Sequence, residues 1–369
     1  MLIFYIIFLI ILFYVILIIR YYFGWKNTND ISVKSFSPRV SVIIAMRNEE
    51  NQIVRIIRNL KLLIYPQQKI EFILINDHSN DDTLKLLQSS KLDNLNILDM
   101  PKNKFGKKSA ISLAVDIAKG EIILTTDADC SFDGSWVQSM VGCFIDNNVK
   151  LVSGPVFFNK KKSIFQYFQL LDFASLVGSG AASIGIKDPI FCNGANMAFR
   201  KEVFLELNAF RNDHLASGDD VFLLHSIKAR YLNSIAFVKA KSAIVFTNSM
   251  DNFKELINQR KRWAAKASAY TDISSLYTAY LMLFVNLSFL FLFFSSFFSI
   301  KIFQFFVFFY CTKFIVDFFF LYPVLKFFDR RDLLKWVFIF EFFYSFYIIL
   351  IVMLSLLKKF EWKGRMHKR

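Results

Sequence analysis

The sequence has few cysteines and lacks the patterns in which cysteine and histidine bind metals. Its four cysteines, at positions 130, 143, 192 and 311, show neither the spacing of a disulfide framework nor that of a zinc site. We therefore expect them to be reduced and structural. No basic region precedes a run of heptads either, so the positive charge described next does not indicate a nucleic-acid-binding protein.

Apolar residues and positive charge are both abundant. Hydrophobic residues make up 55% of the 369-residue chain, with 46 phenylalanines, which is too apolar for an ordinary soluble protein. The 45 Lys and Arg exceed the 30 Asp and Glu, giving a net charge of +15. This combination is typical of apolar spans beside a basic cytoplasmic face. It predicts an integral membrane protein, in the inner or plasma membrane of the cell.

The first apolar run predicts a membrane anchor over residues 1–25. Leu2–Ile19 is eighteen residues without a charge, about the minimum for a bilayer span. Arg20 follows it, and Tyr21, Tyr22 and Trp25 are typical of an interfacial belt. A signal peptide would carry basic residues before the run and a cleavage site of small residues after it. We expect an uncleaved anchor with its N-terminus outside, followed by a polar linker over residues 26–38.

Strand and helix patterns alternate from residue 39. Because strands separated by helices of this length form crossover units, the pattern predicts a parallel, doubly wound α/β sheet in a domain over residues 39–270. Strands are predicted at Val40–Ala45, Phe72–Ile75, Leu95–Leu98 and Ile122–Thr126, and helices at Glu49–Leu63, Asp81–Leu87 and Lys107–Ala118.

Two carboxylates follow the central predicted strand. Asp127 and Asp129 are two residues apart, so strand geometry would point both side chains the same way, off the end of the sheet. Like charges so placed repel unless a cation lies between them. Mg²⁺ and Mn²⁺ take carboxylate oxygens and often share them with a diphosphate, and ligands bind at the carboxyl ends of such strands. The alternative is a solvated acidic turn.

Four segments in order carry a family resemblance. They resemble the nucleotide-binding half of family 2 glycosyltransferases, and the similarity extends over about residues 40–270. The segments are SVIIAMRNEE, ILINDHSNDDT, GKKSAISLAV and ILTTDADC. The resemblance implies a GT-A fold, that is, an α/β domain with a central mixed, mostly parallel sheet. It also implies a nucleotide-diphospho-sugar donor, Mg²⁺ or Mn²⁺ as cofactor, and inverting transfer.

The same resemblance implies roles for five residues. Asp77 would contact the nucleobase and Lys107 the diphosphate. Asp127 and Asp129 would hold the metal beside the diphosphate, with the second Asp the firmer ligand. Asp220, in SGDDVFLL, would be the general base that takes the proton of the acceptor hydroxyl. Each role has a structural alternative. Asp77 could form an Asx turn or a helix cap, and Lys107 could be a solvated lysine. An Asp at position 220 could instead interact favourably with the helix dipole.

One departure from the family pattern bears on these roles. The family often has Asn where this chain has Ser112, so that contact is in doubt.

The segment FCNGANMAF resembles the acceptor-side loop of the family, which makes Cys192, Asn193 and Gly194 candidate acceptor contacts. Before it, residues 163–180 have a long apolar face, for which a core or membrane-surface helix is the expectation.

The segment QRKRW matches a motif of membrane-bound members of the family. Gln259, Arg262 and Trp263 are spaced to share one helix face. Arginine binds diphosphates in bidentate fashion and tryptophan offers a stacking wall, so all three are predicted to bind the nucleotide-sugar. The alternative is a basic amphipathic helix on the membrane surface, supported in part by Lys254, Arg260, Lys261 and Lys266.

The C-terminal third predicts about three membrane segments over residues 277–357, followed by a basic tail at 358–369. The apolar runs are residues 277–300, 302–325 and 336–357. The second contains Lys313 and Asp317, which are spaced to pair on a helix, and the third contains Glu341. Four Lys and Arg lie in 326–335 and six in the tail, so three spans would place one basic stretch outside. Three spans are the expectation, and a last segment that lies flat or re-enters is the alternative.

Together these features predict an inverting glycosyltransferase with a cytoplasmic catalytic domain. It would move a sugar from a nucleotide-diphospho-sugar to a lipid or lipid-proximal glycan at the membrane, with no nucleic-acid partner. One alternative is a processive polysaccharide synthase similar to those of cellulose, hyaluronan or chitin. An alternative of another class is a catalytically silent membrane scaffold.

Overall fold

The computed structural model describes residues 2–28, 36–159, 162–208, 218–267, 269–356, 359–362 and 365–368. Residues 29–35 of the predicted linker, and residues 358, 363, 364 and 369 of the predicted basic tail, lie outside the described residues. The α/β part carries most of the strands, and long apolar helices from both ends of the chain pack beside it.

The described helices and strands follow the predicted alternation in the first half of the chain. The helices are α1 (Leu2–Asn27), α2 (Glu50–Lys61), α3 (Thr83–Gln88), α4 (Lys107–Ile117), α5 (Trp136–Val141), α6 (Ile164–Gly185), α7 (Lys201–Leu207), α8 (Asp219–Arg230), α9 (Phe253–Ala267), α10 (Ile273–Ser295), α11 (Ile300–Phe327) and α12 (Leu334–Ser355). The strands are β1 (Val40–Met46), β2 (Ile70–Asn76), β3 (Leu95–Asp99), β4 (Ile122–Thr125), β5 (Ser131–Phe132), β6 (Leu151–Ser153), β7 (Val156–Phe158), β8 (Met197–Arg200), β9 (Ile235–Phe237), β10 (Val245–Thr247), β11 (Lys359–Trp362) and β12 (Arg365–Lys368).

The main sheet has seven strands in the order β3-β2-β1-β4-β8-β6-β9. Strands β1 to β4 are parallel, β8 is antiparallel to both of its neighbours, and β6 pairs in parallel with β9. Every residue of β2 is buried, as expected for a strand covered on both faces. The predicted central mixed, mostly parallel sheet is therefore confirmed.

The strand order reverses direction at β1, and this places the ligand-binding edge. After β1 the chain builds outward through β2 and β3, then returns to the other side of β1 as β4. Met46 at the end of β1 is level with Asn76 of β2, and Thr125 at the end of β4 is level with Ile43. In open α/β sheets a crevice forms outside the carboxyl ends at such a switch point. The polar segments after β1, β2 and β4 meet there.

Short strands in the second half of the α/β part were not predicted. Strand β10 pairs with β5 and β7 in a three-stranded sheet, each strand only two or three residues long. This sheet contacts the apolar helices, since Phe157 of β7 stacks on Phe328 after α11, with ring centroids 4.2 Å apart.

Helix α6 joins the α/β part to the N-terminal helix. It begins after Ser163, whose hydroxyl accepts a hydrogen bond from the Gln166 amide at 3.2 Å. A Cβ on Gly24 of α1 would overlap the carbonyl of Ala182 in α6, so only glycine permits this close approach. Thirteen of the 22 residues of α6 are buried, which makes it a core helix, one of the two expectations from the sequence.

Among the residues that the structure describes, four helices are long and apolar enough to cross a membrane by length and composition: Leu2–Asn27, Ile273–Phe298, Ile300–Phe327 and Arg331–Ser355. Three charged groups of these helices, Lys313, Asp317 and Glu341, contact each other. The Lys313 ammonium lies 2.9 Å from an Asp317 oxygen, as predicted, and also pairs with Glu341 of α12. The Tyr14 hydroxyl of α1 donates to the other Asp317 oxygen at 2.5 Å. This cluster ties α1, α11 and α12 together.

Helix α12 contacts helices α6 and α9 along much of its length. Trp336 lies 5.9 Å from Tyr167 of α6, and Arg260 of α9 donates to the Tyr347 hydroxyl at 3.1 Å. Strand β11, beyond the end of α12, also lies against α9. Asp329, in the first basic stretch, pairs with Lys241. The described residues of both basic stretches therefore adjoin the α/β part, an arrangement that fits the alternative of a last segment that re-enters or lies flat.

Candidate active site

A cavity of about 560 Å³ opens at the carboxyl ends of β1, β2 and β4. It brings together side chains from motifs that are up to 186 residues apart, all but one of the predicted site residues. The predicted residues that line it are Asp77, Lys107, Asp127, Asp129, Asn193, Gly194, Asp220, Gln259, Arg262 and Trp263. The exception is Cys192.

Asp77 lies at the end of β2, where its neighbours hold it in place. Its carboxylate accepts a hydrogen bond from the Gly106 amide at 3.1 Å, and its backbone carbonyl accepts one from Arg47 at 2.8 Å. Gly106 has φ +88°, a conformation that favours glycine. Only 3% of Asp77 is exposed, so its side chain is buried among these partners.

Asp127 and Asp129 converge, although not for the reason predicted. Strand β4 ends at Thr125, one residue earlier than expected, and both carboxylates lie in the turn that follows. The Cys130 amide donates to the Asp127 carbonyl at 3.1 Å and closes this turn. Thr247 of β10 donates to an Asp129 oxygen at 2.8 Å. Turn geometry and a partner from a distant strand, rather than strand alternation, set the two side chains.

The donor atoms in this turn fit a hard divalent cation. Potential ligand atoms of Asp127, Asp129 and Cys130 all lie within 4.8 Å of one another. Burial raises the pKa of the Cys130 thiol, and the two aspartates raise it further, so the sulfur stays protonated and only the carboxylates remain as ligands. Carboxylate oxygens that leave room for diphosphate oxygens and water are what Mg²⁺ and Mn²⁺ use.

The net charge of the cavity supports the same conclusion. Among the residues that the structure describes, seven carboxylates and four basic side chains line it. A nucleoside diphosphate, itself an anion, would be repelled by this excess of negative charge unless a cation entered with it. The carboxylates belong to Glu49, Asp77, Asp127, Asp129, Asp219, Asp220 and Glu255, and the basic groups to Arg47, Lys107, Arg262 and Lys266.

Lys107 lies among carboxylates at the start of α4. Its ammonium is 2.7 Å from Asp127 and 3.5 Å from Asp219. Burial alone would lower the pKa of this lysine, but the attraction of Asp127 and Asp219 outweighs it, so the pKa lies above its ordinary value. The interpretation of Lys107 as a solvated surface lysine is therefore wrong, and a permanent positive charge stands in the cavity.

Asp220 is the second residue of α8, which begins directly after Gly218, a residue with φ +101°. Its two oxygens accept hydrogen bonds from the amides of Gly194 and Val221, at 3.2 and 2.8 Å, and from the Lys266 ammonium at 3.2 Å. Burial acts to raise the pKa of this carboxyl. Lys266, Lys107 and the Val221 amide outweigh it and lower the pKa. Asp220 is therefore ionised at neutral pH and able to accept a proton.

The predicted acceptor loop packs against Asp220. A Cβ on Gly194 would lie 3.2 Å from an Asp219 oxygen and 3.5 Å from the Lys107 ammonium, so glycine is needed here for the approach of charged side chains. Cys192 lies outside this cavity, with its sulfur 3.4 Å from the Asp220 carbonyl and its thiol pKa raised by burial. It lines an adjoining apolar cavity instead.

Helix α9 presents Gln259, Arg262 and Trp263 to the cavity, as their spacing predicts. The attribution of Arg260 and Lys266 to a membrane-surface face is wrong, because both are buried on protein carboxylates. Arg260 lies 2.5 Å from Asp172 of α6 and stacks over the Trp263 ring at 4.2 Å.

Several residues of the site were not predicted. Arg47 lies within the first motif, AMRNEE, but periodicity gives it no role until its bonds to the segment after β2 are seen. Thr247 ends a three-residue strand, and Asn248 follows it; a strand this short leaves no recognisable pattern in the sequence. Lys266 was visible only as one of several basic residues on α9.

Comparisons with known proteins find similarity to glycosyltransferases. Residues 41–207 match the model of glycosyl transferase family 2. The chain is 27% identical over 186 residues to glycosyltransferase AglE of Haloferax volcanii, covering 50% of this chain and 59% of that protein. It is 26% identical over 249 residues to a poly-beta-1,6-N-acetyl-D-glucosamine synthase of Staphylococcus aureus, covering 67% of this chain and 58% of that protein.

A solved structure shows the same fold. The mannosyltransferase PcManGT from Pyrobaculum calidifontis, in complex with GDP-Man and Mn²⁺, is 21% identical, with a TM-score of 0.55 over 70% of each chain. The α/β part of this chain therefore has the GT-A fold. The chain spans less than two thirds of the length of the two curated relatives named above.

Proposed function

We propose that the chain, whose residues 41–207 match the model of glycosyl transferase family 2, transfers a sugar from a nucleotide-diphospho-sugar to an acceptor hydroxyl at the membrane, with inversion. The observation that supports this most is the single cavity that holds Asp77, Asp127, Asp129, Asp220 and the residues of the QRKRW segment. A scaffold with a degenerate domain has no need for this set.

The donor would bind along the edge of the sheet. Asp77 faces the base or ribose, and Lys107 and Arg262 contribute positive charge for the diphosphate. Asp127 and Asp129 would hold Mg²⁺ or Mn²⁺, which supplies charge neutralisation for the diphosphate leaving group when bound. Burial lowers the pKa of Arg262, while Asp127, Asp219 and Asp220 oppose that effect, and the guanidinium stays charged at neutral pH.

Asp220 would act as the general base. As the acceptor oxygen attacks the anomeric carbon, the bond from that carbon to the diphosphate breaks and the hydroxyl proton passes to the Asp220 carboxylate. A single displacement of this kind inverts the anomeric centre and needs no covalent sugar–enzyme intermediate. Trp263 would offer a flat wall for the sugar. Asn193 and Gly194, which are close to Asp220, would contact the acceptor.

The membrane location of this reaction rests on the apolar helices. Four helices are apolar enough to cross a bilayer, and the basic stretches at both ends of α12 adjoin the catalytic domain. Because basic segments stay on the cytoplasmic side, we place the domain in the cytoplasm, at the inner or plasma membrane. The acceptor would then be a lipid or a glycan close to the lipid surface.

Processive polymer synthesis is the second candidate, favoured by the similarity to the poly-beta-1,6-N-acetyl-D-glucosamine synthase. A growing glycan would have to cross the bilayer through the four apolar helices or a partner. Product length, measured on purified protein by mass spectrometry, distinguishes the two: single transfer gives one added sugar, and polymerisation gives a ladder.

The proposed function is tested by turnover. Detergent-purified protein is incubated with Mn²⁺ or Mg²⁺, a panel of sugar nucleotides and a membrane lipid extract, and release of nucleoside diphosphate is measured. We expect release from one donor, abolished by chelation of the metal. Absence of release from every donor, together with absence of nucleotide binding, would favour the silent scaffold.

A further inference from the structure

A second cavity, of about 380 Å³, lies beside the first among α6, α9, α10 and α12. Two of its walls are α10 and α12, which are candidate membrane spans. Its lining is mostly apolar, and the apolar side chains include Leu176 and Val177 of α6, Met282 of α10, and Ile348 and Ile351 of α12. A cavity of this kind suits hydrocarbon rather than a hydrated glycan.

The two cavities meet at the proposed general base. The side chains that line both are Phe173, Asn193, Asp220, Trp263 and Lys266. A molecule with its apolar part in the second cavity would therefore present its head group to Asp220, at the border of the donor cavity. No other pair of the described cavities shares Asp220.

The charges at this border cancel in pairs. Among the residues that the structure describes, four charged side chains line the second cavity: Asp172 with Arg260, 2.5 Å apart, and Asp220 with Lys266, 3.2 Å apart. Each cation already has a carboxylate partner. A phosphate head group would need positive charge in excess, because burying an uncompensated anion is costly. An uncharged head group meets no such cost.

We propose that the second cavity binds the hydrocarbon part of a membrane lipid with an uncharged, hydroxyl-bearing head group, and that this hydroxyl is the acceptor. The proposal rests on the proposed function and names its acceptor class. The lipid oxygen forms the new bond to the anomeric carbon, the bond to the diphosphate breaks, the nucleoside diphosphate leaves, and the hydroxyl proton passes to Asp220.

Helix α10 offers matched variants that separate this cavity from the rest of the membrane surface. Met282→Trp would fill the cavity, and Ala279→Trp, one turn earlier on the same face, would do so at a second position. Leu287→Trp adds a similar volume at a position of α10 outside the cavity, where 42% of Leu287 is exposed. None of the three touches the donor cavity, so nucleotide binding should be the same in all of them.

The test is photo-crosslinking with a diazirine-bearing diacylglycerol, an uncharged lipid with one free hydroxyl, on detergent-purified full-length protein. Labelled peptides are identified by mass spectrometry, with unlabelled diacylglycerol or farnesyl phosphate as competitor. We expect labelling of α6, α10 or α12 peptides that diacylglycerol suppresses and farnesyl phosphate does not. Labelling should fall several-fold in Met282→Trp and Ala279→Trp and persist in Leu287→Trp.

Two results would overturn the proposal. Equal competition by farnesyl phosphate would contradict the uncharged head group, and equal labelling in the cavity-filling variants and the wild type would contradict the site. Metal-dependent nucleotide binding is measured on the same samples. If it is intact while lipid labelling fails, the acceptor assignment fails alone, whereas loss of both in the wild type counts against the proposed transferase function itself.

Discussion

At the scale of single residues, Asp220 has the most specific chemical task. It accepts bonds from two amides and one ammonium, and none of these groups can take over its role as a proton acceptor. We expect Asp220→Asn to keep metal-dependent binding of the sugar nucleotide and to lower the rate of transfer by about 100- to 10,000-fold, the usual contribution of a general base.

The measurement is a pair of assays on one preparation, nucleotide binding by calorimetry and transfer by product formation. Asp188→Asn serves as the control, because Asp188 pairs with Lys228, about two turns further along α8 than Asp220, and lines neither cavity. Turnover of Asp220→Asn close to the wild-type rate would assign the base to another residue.

Lys266 sets the ionisation of that base. Its ammonium lowers the pKa of Asp220 against the opposing effect of burial. The wild-type carboxylate therefore becomes ionised at a lower pH than an ordinary aspartate does. In Lys266→Met the burial effect is no longer opposed by that charge, so the pKa rises. The acid limb of the kcat/KM profile should therefore move to higher pH.

The same lowered pKa contributes to stability. That contribution is present above the unfolded-state pKa and is lost as the pH falls through the folded-state value, so the variant should lose stability at neutral pH. Lys261→Met removes the same charge from α9 outside both cavities and should leave the pH profile unchanged. An unchanged profile in Lys266→Met would show that Lys266 does not control Asp220.

The space around position 194, rather than its backbone conformation, favours glycine there. A methyl group there would lie 3.2 Å from Asp219 and 3.4 Å from the Asp220 Cβ. Gly194→Ala should displace these carboxylates and lower kcat/KM by about 10- to 100-fold, at a cost of about 1 kcal/mol in stability. Parallel kinetics and thermal unfolding check this, and a loss of stability without a loss of rate would contradict it.

At the scale of elements, the charged cluster between α1, α11 and α12 fixes how the apolar helices pack. Lys313 is the one cation that the structure places between Asp317 and Glu341. Lys313→Met would leave two buried carboxylates facing each other, and we expect a loss of about 3–5 kcal/mol in stability. Thermal unfolding in detergent, followed by tryptophan fluorescence, measures it.

The triple variant Lys313→Met, Asp317→Asn, Glu341→Gln is the control for that prediction. It removes every charge of the cluster at once, so most of the lost stability should return. If the single variant is as stable as the wild type, the cluster contributes nothing to helix packing.

The elements also show what a sequence can and cannot indicate. Strands β1 to β4 were predictable because they are rich in apolar residues, four to seven residues long and separated by helices. Strands β5, β7 and β10 were not, because two or three residues cannot display a period. Arg260 and Lys266 were placed on the wrong face because their carboxylate partners lie 88 and 46 residues away in sequence.

At the scale of the whole molecule, the chain joins a polar cavity at the edge of a sheet to an apolar one among membrane helices. Asp220 lies where they meet. The motifs indicated the first cavity, since each follows a strand or opens a helix. The second is built from apolar residues of four helices that look alike in sequence, so only the packed structure could show it.

The most direct test of the central claim is binding of UDP and GDP to the full-length protein in detergent, by calorimetry, with Mn²⁺ and then with EDTA. We expect one of these nucleotides to bind in Mn²⁺. Its affinity should fall by about tenfold or more on chelation, and by a similar factor in Asp129→Asn. Binding that is equally tight with and without the metal, and in the variant, would contradict a metal–nucleotide site at this edge of the sheet.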